Sequence, residues 1–148
     1  MNPSIIAIVL VVLAGGATAL QAPTNARLAA AAASPVNAAF ISFAVGTIAL
    51  GMVAALMHTR PDWAETKALP WYVWIGGLYG AVFVVAAAWG VHRLGVALTI
   101  TLMVAGQLLI SLILDHFGAF GVPRQPLNLG RIGGVALVLA GVLLVRRS

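Results

Sequence analysis

Five long apolar runs account for most of the chain, and the charged residues fall almost entirely between them. The pattern predicts spans over residues 4–28, 36–57, 71–91, 96–114 and 132–145. A membrane-crossing helix needs ~20 mostly apolar residues, whereas barrel strands alternate polar and apolar positions. These runs are continuous, so the expected fold is an all-α integral membrane protein, with residues 1–148 as a single transmembrane domain. The first run turns polar at Gln21, Pro23, Thr24, Asn25 and Arg27, with a bend expected at Pro23. Ser34-Pro35 then marks a break, since the residue before a proline is pushed out of the helical region. His58-Thr59-Arg60-Pro61 closes the second run. Asp62 to Leu69, with Asp62, Glu65 and Lys67, reads as an exposed loop. Pro70 suits a first helical turn, because its missing N–H would have been unpaired there anyway. Trp71, Tyr72 and Trp74 at one end of the third run and Trp89 at the other match the aromatic belts of the two interfaces. His92-Arg93-Leu94-Gly95 reads as a tight reversal, and Ala119 to Leu129, with two prolines, as a second loop. Ile5–Leu13 followed by Ala17-Thr18-Ala19 has the outline of a cleaved signal. No Lys or Arg precedes it, however, and it is read as a retained span.

Composition sharpens this picture. Hydrophobic residues make up 62% of the chain and charged residues 7%, against about 25% charge in an ordinary soluble domain. Too few polar atoms are present to coat a soluble globule, which excludes a soluble enzyme and a disordered chain; no enzymatic activity is expected. The formal charge of +5 comes from Lys and Arg scattered singly between apolar runs. A phosphate-binding face needs them clustered, so no nucleic-acid partner is expected. There is no cysteine, which removes disulfides and thiolate metal sites. His58, His92 and His116 sit at three separate span ends, whereas a metal needs several ligands at matched spacing. Neither a metal nor a cofactor is expected.

An odd number of spans puts the termini on opposite sides of the membrane. One side then carries Arg60, Lys67, Arg124 and Arg131, and the other Arg27, Arg93, Arg146 and Arg147: four against four. Orientation follows an excess of Lys and Arg on one face, and here there is none. Two readings stay open. Either Arg27 or Arg131 lies within a helix and tips the count, or copies insert both ways and pair as an antiparallel homodimer.

Polar side chains at membrane depth are expensive unless paired or wet, and so are functional candidates. At 100° per residue, Thr18, Gln21 and Asn25 fall within about a 60° arc of the first span. Such a stripe lines a cavity or bonds to a neighbouring helix, and both uses require that it face protein. Gln107, Ser111 and Asp115 share a face of the fourth span. Asp115 is the one carboxylate in or near a span, hence the candidate for proton or ion coupling. The competing reading is a wet boundary residue. Its place at a helix C-terminus opposes the dipole, so something other than helix stability must favour it. Arg27 is expected to snorkel to headgroups, with a substrate-anion role as the alternative. Gly76 and Gly80 form one GxxxG, and Gly130 and Gly134 a second; with Gly46 and Gly106 they are read as helix-packing positions.

The run Gly106-Gln107-Leu108-Leu109-Ile110-Ser111-Leu112-Ile113-Leu114-Asp115-His116-Phe117-Gly118 carries a wider resemblance. So do Leu20-Gln21-Ala22-Pro23-Thr24-Asn25, Ile41-Ser42-Phe43-Ala44-Val45-Gly46, and Pro70-Trp71 leading into Gly76-Gly77. In this order the chain resembles the YdcZ-like family of bacterial inner-membrane proteins, a half-length, five-span branch of the drug/metabolite transporter superfamily. The resemblance covers essentially the whole chain. It implies a small-molecule exporter in the bacterial inner membrane, built as a dimer of five-span units that occurs as dual-topology homodimers, opposed pairs or fusions. It implies no particular substrate. Four-span exporters of the same superfamily place a Glu in the first span; here that span has only Gln21 and Asn25, so a cationic-drug/proton antiport mechanism does not transfer.

The expected assembly is therefore an antiparallel homodimer of ten helices, surrounded by membrane lipid, that moves a small molecule by alternating access between inverted copies. Gln21, Asn25, Gln107 and Ser111 would supply polar contacts to the cargo, and Phe43, Trp74 and Tyr79 aromatic walls. With neutral amides dominating, the cargo is expected to be neutral, zwitterionic or amphipathic. A small dual-topology ion channel of the fluoride-channel kind and a non-transporting structural subunit are the alternatives.

Overall fold

The computed structural model describes residues 3–147, and among them every regular element is helical. Six α-helices follow one another: α1 (Pro3–Ala31), α2 (Pro35–Leu56), the short α3 (Trp63–Ala68), α4 (Gly76–Leu94), α5 (Val96–Phe117) and α6 (Leu129–Arg147). Five stretches are long and apolar enough to cross a membrane: Ser4–Ala31, Pro35–Leu56, Trp71–Leu94, Val96–Phe117 and Leu129–Arg147. The five spans read from the apolar pattern are thus present, most of them longer than expected because polar residues near the ends stay helical.

Local chemistry explains where the helices begin and end. The Ser34 side chain accepts from the Asn37 N–H at 3.0 Å, while Asn37 Nδ2 donates back to the Ala32 carbonyl at 2.7 Å. The Asn37 side chain so ties the start of α2 to the chain leaving α1, around Ala33, whose φ is +63°. Pro23 does not interrupt α1. One residue on, the Thr24 hydroxyl donates to the Leu20 carbonyl at 2.9 Å, and Thr18 does the same to Ala14 at 3.0 Å. Arg27, also inside α1, is exposed one turn before its end.

Two expectations are corrected. The segment read as a loop from Asp62 contains α3, because Asp62 caps it by accepting from the N–H groups of Ala64 and Glu65 at 3.0 and 3.2 Å. The expected reversal at His92–Gly95 reduces to one residue: α4 runs through Leu94, and Gly95 alone, at φ +78°, turns the chain into α5. Only a residue without a Cβ takes that φ readily. The third span is also less regular at its start than expected, since Trp71–Val73 form a 3₁₀ turn before α4 begins at Gly76.

The residues fall into two compact units, one through Arg93 and the other from Leu94 onward. In the first, small side chains occupy the contacts. Ala29, Ala38 and Ala88 form a common cluster with Leu28 packed against it, and Ala38 and Ala88 have no accessible surface at all. Large residues such as Leu10, Val11, Leu20 and Leu56 face outward. A water-soluble fold would reverse this, but lipid tails are as apolar as leucine, so helices in a membrane associate through close contact of small residues. In the second unit α5 packs along α6, with Val135 and Val142 buried.

Because Ala88 has no space around it, Ala88→Leu should cost ~1–3 kcal/mol through overpacking, whereas Ala44→Leu on the exposed face of α2 should cost little. Thermal unfolding of the two variants in one detergent checks this; equal melting temperatures would remove the alanine contact from its place at the centre of the unit.

Candidate functional site

The residues of the first unit converge on a cleft between α1 and α2 of about 210 Å³, lined by Gln21, Ser42, Phe43, Gly46, Thr47 and Leu50. Positions 42, 43, 46, 47 and 50 share one face of α2 by helical spacing. Gln21 faces them from α1, beside the turn in which Pro23 and Thr24 modify the backbone hydrogen bonding. The Thr47 hydroxyl donates to the Phe43 carbonyl at 2.8 Å, which leaves its lone pairs toward the cleft as acceptors. The cleft holds no charged side chain. Amide, hydroxyl and aromatic ring are what it can offer a ligand.

Phe43 closes the cleft toward α4. A Cβ built on Gly80 would lie 3.1 Å from Phe43 Cζ, so the absence of a side chain at Gly80 lets the ring approach that helix. Farther along α1, Asn25 is only 3% exposed, and its Nδ2 has no hydrogen-bond partner. A buried amide donor left unpaired costs ~1–3 kcal/mol. Near it, His92 Nε2 lies 2.8 Å from the Ala26 carbonyl oxygen and joins the last turn of α4 to α1.

Of the residues singled out by sequence, Gln21, Phe43 and Gly46 are brought together, with Gly80 against the ring. Asn25 lies one turn beyond Gln21 and does not line the cleft. Trp74 and Tyr79 are exposed and stand outside the lining. Gln107 and Ser111 belong to α5 in the second unit, where the Ser111 hydroxyl donates to the Leu108 carbonyl of its own helix at 2.9 Å. Ser42 and Thr47 also line the cleft, although neither is among the residues expected to contact cargo; their spacing around Gly46 on one helical face is the signal that points to them. At Gly46, Gly76, Gly106 and Gly134 an added Cβ would meet nothing within 4 Å. At Gly130 it would lie 3.3 Å from Asn128 Oδ1, the side chain that caps α6.

The second unit explains Asp115. Arg131 Nη1, in the first turn of α6, donates to Asp115 Oδ2 at 3.1 Å, and Arg131 also contacts the Gln125 side chain. The Gln125 N–H donates to the Asp115 carbonyl at 2.8 Å, and Arg124 Nε to the His116 carbonyl at 3.0 Å. Leu127 N–H reaches His116 Nδ1 at 3.3 Å, and Asn128 Oδ1 accepts from Arg131 N–H at 2.9 Å. Gly118, at φ +63°, terminates α5 in the left-handed conformation. Asp115 thus sits against its helix dipole because an arginine from the next helix faces it, and the pair clasps the connection between α5 and α6. Its carboxylate is more than a third exposed. Among the described residues no group of His, Asp or Glu is placed to hold a metal.

Five apolar helices of membrane-crossing length, with an uncharged polar cleft in the first unit, define a multi-pass membrane protein of transporter type. The family described as "Putative inner membrane exporter, YdcZ" matches residues 6–144, and the chain belongs to that family. Inner membrane protein YdcZ of Escherichia coli (strain K12) is 30% identical over 149 residues, covering 100% of this chain and 99% of that protein. No solved structure matches. The chain is accordingly a multi-pass protein of the inner membrane.

The clasp generates a pair of measurable costs. Gly118→Ala should destabilise by ~1–2 kcal/mol, the cost of a Cβ in the left-handed region, raised further because that Cβ would lie 3.2 Å from the Val122 carbonyl. Removing both Asp115 and Arg131 should reveal a coupling below about 1 kcal/mol, as for other half-exposed ion pairs. Unfolding of the single and double variants measures both; a coupling of several kcal/mol would mean the pair is desolvated in the membrane.

Proposed function

We propose that the chain is a secondary transporter that exports a small neutral, zwitterionic or amphipathic molecule, working by alternating access as a dual-topology, antiparallel homodimer. The cleft of Gln21, Ser42, Phe43, Gly46 and Thr47 carries this reading. Small-molecule sites usually enclose ~300–1,000 Å³, and this cleft, at about 210 Å³, falls short of that range. In the proposed dimer it is a half-site, completed near the bilayer centre by the same surface of an inverted copy. Gly46 lies midway along α2, open on the side an inverted copy would approach. Asn25, whose buried N–H is unpaired one turn beyond Gln21, would meet cargo or partner only if α1 shifts during the transport cycle. The balance of four basic residues on each side supports insertion in both orientations.

The absence of charge in the cleft supports this cargo class. A strongly cationic substrate would shed its hydration shell here without a carboxylate to replace it, and Asp115 is already paired with Arg131 in the other unit. Export direction follows the family's description. Coupling through Asp115 would require the clasp to open, which makes that residue a candidate for gating as much as for proton transfer.

Thermal-shift screening of the purified protein tests the assignment. Neutral or zwitterionic amphipathic compounds should raise the melting temperature, and Gln21→Ala should weaken their binding about 2- to 10-fold, the worth of one amide hydrogen bond. If hydrophobic cations alone stabilise the protein and Gln21→Ala leaves that shift unchanged, the proposed site and cargo class are both wrong.

A further inference from the structure

A second cavity lies in the same unit, between the start of α2 and the face of α4, and it differs from the cleft in chemistry. It measures about 450 Å³ and is apolar, lined by Pro35 and Val36 from α2 and by Val82, Val85, Ala86 and Trp89 from α4. From Val82 to Trp89 it extends for about 11 Å along the helix, at 1.5 Å per residue. Apart from the indole N–H of Trp89, no side chain of this lining carries a polar atom.

Its Trp89 end is cationic. The Arg93 guanidinium sits over the Trp89 ring, 4.4 Å from its centroid, so a positive charge is held beside an aromatic side chain that lines the groove. The bond between His92 Nε2 and the Ala26 carbonyl ties this end of α4 to α1, one residue before Arg27. Both arginines are exposed. Tryptophan and arginine near a helix end mark the headgroup level of a membrane, and basic pockets between membrane helices bind anionic lipid headgroups.

The chain itself has little negative charge to offer these arginines. Eight Lys and Arg stand against three acids. Asp62 caps α3 and Asp115 is paired with Arg131, which leaves Glu65. An apolar tail joined to an anionic head satisfies both ends of the groove; a second copy of this chain would supply apolar surface but scarce negative charge.

The geometry points to a binding site for an anionic phospholipid, with an acyl chain in the groove between α2 and α4 and its phosphate at Arg93. The site is separate from the polar cleft and does not depend on the export reading. Lipid bound there would hold α2 against α4, the two helices that place Phe43 over Gly80.

Quenching of tryptophan fluorescence by lipids with brominated tails tests this in the full chain in micelles, comparing phosphatidylglycerol with phosphatidylcholine of identical tails. The wild type should be quenched by phosphatidylglycerol at a several-fold lower mole fraction than by phosphatidylcholine. Trp89→Phe should remove that saturable component, and Arg93→Gln should bring the two curves together without altering quenching at high lipid. Ala86→Phe, which fills the groove, should abolish the saturable component for both lipids. Equal curves in the wild type, or an unchanged preference in Arg93→Gln, would overturn the site. So would an Ala86→Phe variant that dissociates copies of the chain while its lipid quenching persists, since the occupant would then be a second copy.

Discussion

Contact through alanine is the interaction on which the first unit depends. Ala38 and Ala88 are fully enclosed and Ala29 nearly so, which brings α1, α2 and α4 together at points where no larger side chain would fit. In lipid there is no hydrophobic gain from burying leucine, so close approach and the dispersion it brings must do the work. Once the helices are this close, His92 reaches the Ala26 carbonyl and Phe43 seats over Gly80. The cleft opens between α1 and α2, and the apolar groove between α2 and α4.

The two units use polar residues differently. In the first, polar atoms are sparse and partly unspent: Gln21 opens into the cleft and Asn25 keeps a buried N–H without a partner. In the second, the polar residues are consumed by one another, as Asp115, Arg131, Gln125, His116 and Asn128 interlock around the α5–α6 connection. The first set is left open to a ligand or a partner, whereas the second fixes a turn.

Much of the architecture was legible in the sequence because the constraint of the bilayer is severe: every backbone polar group must be satisfied within its own helix, and apolar runs of the required length are unambiguous. The ends were less legible. Capping by Asp62 creates α3 inside a charged stretch that looks like a loop, and whether Leu94 ends a helix or a turn rests on the φ of Gly95. Within the site, the helical arc of α1 led to Gln21, and the family likeness led to Phe43 and Gly46. Ser42 and Thr47 are less legible, because a short hydroxyl side chain in a membrane helix can bond back to its own helix, as Thr47 does to the Phe43 carbonyl. The partner of Asp115 lies beyond reach of periodicity, because the connection from Phe117 to Leu129 determines where Arg131, sixteen positions along the chain, returns.

The central claim is that the cleft is half of a site completed by an inverted copy. The chain has no cysteine, so single cysteines report on contact between copies without background. Gly46 is the middle of α2, and a Cβ there meets nothing within the chain, while Leu56 is the last residue of the same helix. Across an antiparallel pair, identical residues approach one another only near the bilayer centre; those at the end of a 22-residue helix stand up to about 30 Å apart. Oxidative cross-linking in native membranes should therefore give a covalent dimer with Gly46→Cys and none with Leu56→Cys. A dimer linked as readily through Leu56→Cys, or no dimer through Gly46→Cys, would contradict the account.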